Sequence, residues 1–90
     1  MTPAKLKRRA EALAKAIAKI TDDNGRHPTV FIRNDRPNVI VSAEDGGYFA
    51  DYYGEYRGGY PWIHPKLEEF ATKRGYFWEW EHPGSIMLCE

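Results

Sequence analysis

Leu6, Ala10, Leu13, Ile17 and Ile20 recur at spacings of four, three, four and three, so a helix through them gathers all five on one face. No other stretch constrains the fold as tightly. Lys5, Arg8, Lys15 and Lys19 fall broadly opposite, with Arg9 beside them, so the helix lays its apolar side on a partner and turns its basic side to water. Thr2 and Pro3 read as N-cap and first helical position: the hydroxyl accepts an amide hydrogen bond, and Pro lacks the N–H that a helix start leaves unpaired. Asp22-Asp23-Asn24-Gly25 reads as the stop, with Gly25 able to turn left-handed.

Beyond residue 28 the apolar period drops to 2, the signature of strands. Thr29–Arg33 (TVFIR) and Val39–Ala43 (VIVSA) are β-branched runs that predict a hairpin. Tyr48–Tyr53 (YFADYY) reads as a third strand, with Tyr48, Ala50 and Tyr52 on one side and Phe49, Asp51 and Tyr53 on the other. Pro65–Arg74 predicts a second helix with a narrow apolar face of Leu67, Phe70 and Ala71, closed by Gly75. In Tyr76–Glu81 (YFWEWE), Tyr76, Trp78 and Trp80 alternate with Phe77, Glu79 and Glu81, and His82-Pro83-Gly84-Ser85 has the residues of a type II turn into Ser85–Cys89 (SIMLC). The order α-β-β-β-α-β-β predicts one α+β domain over residues 1–90, an antiparallel sheet with two helices on one face.

Several function classes fall away. Ninety residues hold one modest core but not a cofactor-binding domain beside a substrate domain. No apolar run approaches a membrane span. The basic N-terminal stretch lacks the continuous apolar core of a signal peptide, and a single cysteine, Cys89, suits a reducing compartment, so the expected location is the cytoplasm. His27, His64 and His82 each sit beside a proline in a predicted turn, without a second His or Cys at metal-ligand spacing. No phosphate-binding glycine motif and no catalytic constellation is present, so neither a cofactor, a metal nor an enzymatic activity is expected.

What remains is surface. Residues 1–43 carry nine Lys/Arg against four Asp/Glu and residues 44–90 four against nine, so the halves are +5 and −5. Residues 48–62 hold seven aromatics in fifteen positions, broken by glycines and a proline, the composition of a binding loop. Acids lie around them. The expected docking surface is therefore acidic and Tyr-rich: Asp51, Tyr53, Glu55, Tyr56 and Arg57, with Glu79 and Glu81 on a neighbouring strand. Its expected partner is a protein with a basic surface, including one shaped for nucleic acid, with carboxylates standing where phosphates would. Short single-domain inhibitors of host nucleic-acid machinery encoded by phages and mobile elements, such as those of CRISPR–Cas complexes, are chains of this general kind. By that analogy the chain is expected to be an inhibitor or modulator. The alternative is a nucleic-acid binder using Lys5, Arg8, Arg9, Lys15 and Lys19, and the ±5 division also allows a homodimer.

Overall fold

A computed structural model describes residues 2–33, 38–44, 48–54 and 61–90 of the chain. Helix α1 is Pro3–Ala18, capped by Thr2, whose hydroxyl accepts from the Lys5 amide at 3.3 Å. Strands β1 (Val30–Arg33) and β2 (Asn38–Ser42) pair antiparallel, as do β5 (Phe77–His82) and β6 (Ser85–Cys89). β2 joins β6, which gives a four-stranded antiparallel sheet in the order β1-β2-β6-β5. Two-residue strands β3 (Ala50–Asp51) and β4 (Trp62–Ile63) pair with each other apart from it, and α2 spans Pro65–Lys73. The result is a small α+β domain with two helices and an antiparallel sheet.

Register assigns every sheet residue to a face. Val30, Val41, Ile86 and Trp80 form one row across all four strands, and this side meets the helices. Ala10 and Ile17 of α1 and Leu67, Phe70 and Ala71 of α2 share a core with Val39, Val41, Trp78, Ile86 and Leu88. Both helices therefore lie on one face. The indole N–H of Trp78 donates to the Leu67 carbonyl at 2.8 Å, a buried bond that ties the α2 backbone to β5. His64 starts α2 by accepting the Lys66 amide on Nδ1 at 3.0 Å, with Pro65 in the first turn.

Three local expectations are corrected. Helix α1 stops at Ala18, four residues before Asp22, and the buried Asp22 closes a separate loop. Its carboxylate accepts the amides of Asn24 and Arg26, each at 2.9 Å, and the Arg26 guanidinium at 2.8 Å; that guanidinium also stacks over Tyr48 at 3.7 Å. The expected third strand, Tyr48–Tyr53, shrinks to Ala50–Asp51, the two residues that pair with Trp62 and Ile63 in a ribbon apart from the main sheet. The turn at Pro83-Gly84 is not type II, since Gly84 lacks the positive φ that type requires. A Cβ there would meet the end of the exposed Glu44 side chain, which can swing aside, and would come close to the His82 ring.

Two outcomes are expected. Trp78→Phe removes the bond to Leu67 and leaves a void, costing about 2–3 kcal/mol, and scanning calorimetry should read a Tm lower by roughly 10–20 °C. Burial alone would raise the Asp22 pKa, but the amide bonds of Arg26 and Asn24 and the Arg26 guanidinium outweigh it and hold the group at about 2. A carboxylate with a depressed folded-state pKa stabilises above its unfolded value and loses that contribution as the pH falls through the folded one. Asp22→Asn should therefore lower the urea midpoint at pH 6, with the gap to wild type closing between pH 4 and pH 2. An equal gap at both ends would overturn this.

Candidate functional site

The sheet face turned away from both helices carries the row Phe31, Ile40, Met87 and Glu79, one residue from each strand. Phe77, opposite Cys89, extends it along β5. Ile40 is fully buried in the middle, while Phe31 on one edge strand and Phe77 on the other are 47% and 48% exposed. Four strands at about 4.8 Å spacing put these edges about 14 Å apart. Alternation explains the placement: Val30 and Ile32 point to the helices and leave Phe31 outside, as Trp78 and Trp80 leave Phe77 and Glu79.

Charge on this face is arranged by one bridge. Arg33 of β1 is ion-paired with Glu81 of β5, so the bridge joins the two edge strands across the inner pair. Glu81 sits at the bulge between Trp80 and His82 and also accepts the Ser85 hydroxyl at 3.0 Å. The Arg33 guanidinium, against an opposing effect of burial, holds the Glu81 carboxyl below its usual range, with help from Ser85. Glu79 is exposed and takes only the Cys89 thiol, at 3.4 Å, among the described residues.

Ser85, His82 and Glu81 resemble a nucleophile, base and acid, but the donors run the wrong way. His82 Nδ1 accepts the Gly84 amide at 3.0 Å, which leaves the neutral ring's proton on Nε2, 3.2 Å from Ser85 Oγ. The imidazole then donates to the serine, and the serine to Glu81. Ser85 is 3% exposed. This is a lock on a hairpin turn; a serine activated by an imidazole needs the opposite polarity. Among the described residues no group of His, Cys, Asp and Glu is placed to hold a metal.

The residues singled out from the sequence do not form one surface. Asp51 is 5% exposed and partnered, so it leaves the docking set: it lies in the β3–β4 ribbon, where consecutive residues are buried. Tyr53 is 60% exposed, and its ring meets Tyr52 edge-on at 5.0 Å, which in turn meets Trp80 at 5.1 Å. That ladder belongs to the helix side of the sheet, whereas Glu79 projects from the other. Glu81 is neutralised by Arg33. Glu55, Tyr56 and Arg57 lie outside the described residues.

On α1, Lys5, Arg8, Lys15 and Lys19 are exposed, while Arg9 is half-buried, ion-paired with Glu90. Arg9 and Glu90 line a groove of about 350 Å³ between α1 and the end of β6. Phe31 lies in a β-branched run that reads as core on both sides, so nothing in the sequence marks it as exposed. The signal for Phe77 was present in its alternation with Glu79. No protein-family model, curated protein or solved structure matches the chain.

Burial, the hydrogen bond to Glu79 and its charge push the Cys89 thiol up to about 11. Alkylation by iodoacetamide at pH 8 should run roughly tenfold slower than for a free cysteine, since a hundredfold smaller thiolate fraction is partly offset by higher intrinsic nucleophilicity. Glu79→Gln should speed it. A rate equal to that of free cysteine in the folded wild type would contradict the assignment.

Proposed function

We propose that the chain is a protein-docking module, an inhibitor or modulator by occupation, that binds through the sheet face bearing Phe31, Met87, Phe77 and Glu79. The observation that carries this is the pair of half-exposed phenylalanines at the two edges of a face no described helix covers. Aromatic side chains of this kind bring large contact area with few rotamers to freeze, which suits them as anchors. The partner surface is apolar with a cation placed to meet Glu79. A row of free carboxylates, as mimicry of a phosphate backbone asks for, is a weaker fit: of Asp51, Glu79 and Glu81, one is buried and one is bridged. The bridge contributes preorganisation, because it fixes the middle of the face before any partner arrives.

The test is a tagged capture from bacterial lysate with nuclease present, run for wild type, Phe31→Ser/Phe77→Ser and Glu79→Lys. A stoichiometric protein should be retained by wild type, lost by at least about tenfold in the double variant, and weakened in Glu79→Lys. Circular dichroism should show all three folded, since exposed positions contribute little to stability. Equal capture by the three folded proteins would sink the proposal.

A further inference from the structure

The cations of α1 form a line of their own. At about 100° per residue, Lys5, Arg8, Lys15 and Lys19 fall within a sector of about 80°, and at about 1.5 Å per residue they span about 21 Å of axis. All four are exposed, and none makes an ion pair with a described residue. Glu11 flanks the line, within one turn of Arg8 and Lys15, yet is joined to neither among the described residues. Among the described residues, the acidic half of the chain does not neutralise this line. Its two contacts with the basic half among the described ion pairs use Arg9, which reaches Glu90, and Arg33, which reaches Glu81.

We propose that this line is a second binding surface, for the phosphate backbone of a nucleic-acid duplex. The apolar side of α1 is engaged with the sheet through Ala10, Leu13 and Ile17, so the helix has no free apolar face to lay into a bilayer. The line contains no aromatic: its middle is Ala12, and single-strand surfaces combine charge with stacking platforms. It also lacks Asn and Gln, two of the side chains that read base edges in pairs. What remains is a straight row of point charges opposite a rod that carries one negative charge per about 1.7 Å, a match in sign and shape without sequence information. The surface lies on the opposite side of the sheet from the phenylalanine face, so both can be occupied at once. A protein that sits on a nucleoprotein complex could use one side for each component.

Binding of a fluorescent 24-base-pair DNA duplex of mixed sequence, followed by anisotropy between 25 and 200 mM NaCl, tests this. Four phosphate contacts predict a slope of log K against log salt of about −3.5, a loss of roughly a hundredfold between 50 and 200 mM, with equal affinity for a second sequence. Lys15→Gln/Lys19→Gln, at exposed positions, should halve the slope while the circular dichroism spectrum stays unchanged. Phe31→Ser/Phe77→Ser should leave the slope as it is, which separates this surface from the protein-docking one. Absence of binding at 25 mM, a slope shallower than about −1.5, or an unchanged slope in the lysine variant would overturn it. So would tighter binding to the single strand, or to phosphatidylserine vesicles, than to the duplex.

Discussion

Two helices cover one side of four strands, and the opposite side has to be completed by other means. On the covered side the helices supply the second layer that a half-apolar sheet requires. On the other side the inner strand β2 still buries Ile40, so this face is no ordinary solvated surface. A charged bridge from Arg33 to Glu81 spans it, and the hydroxyl of Ser85 supports the acid. The exposed edges, Phe31 and Phe77, are what such a design leaves over. Their exposure follows from alternation: strands whose other side already fills a core have no second interior in which to place an aromatic.

Charge follows the same division. The sequence is split into a basic and an acidic half, and the fold brings them together at Arg9 with Glu90 and Arg33 with Glu81. Each contact removes one cation and one carboxylate from the outward-facing supply. The remaining cations of α1 are gathered on one side of the sheet, and the remaining open-face acid, Glu79, stands on the other. The two proposed binding surfaces thus differ in chemistry and lie on opposite sides of the sheet. The hydrogen bonds of His82, Ser85 and Glu81 hold the turn between β5 and β6.

Much of this was legible from spacing. The apolar face of α1, the Leu67, Phe70 and Ala71 face of α2, the Trp78 and Trp80 alternation and the capping role of Thr2 all depend on neighbours within about one turn or one pleat. His64 behaves as its position before a proline suggests, as an N-cap. YFADYY reads as a strand, but its pairing partner is the two-residue β4 at Trp62 and Ile63, with the Phe49 ring against His64, so the ladder is two residues long. Gly84 reads as a left-handed turn residue, yet its φ is not positive. Asp51, Glu79 and Glu81 look equivalent in sequence and have three different fates.

The sequence by itself determined the elements: period 3.6 over the first twenty residues, period 2 in the strands, and the division of charge between halves. Those are short-range consequences of backbone geometry, and a single chain displays them. Tertiary structure alone decided which acids are free, because burial of Asp51 and neutralisation of Glu81 depend on residues far away along the chain. It also decided that the α1 cations and the phenylalanine face lie apart, since both helices pack on the same side of the sheet. Sheet order is set by which long-range pairing buries the most apolar area, and no local pattern carries that information.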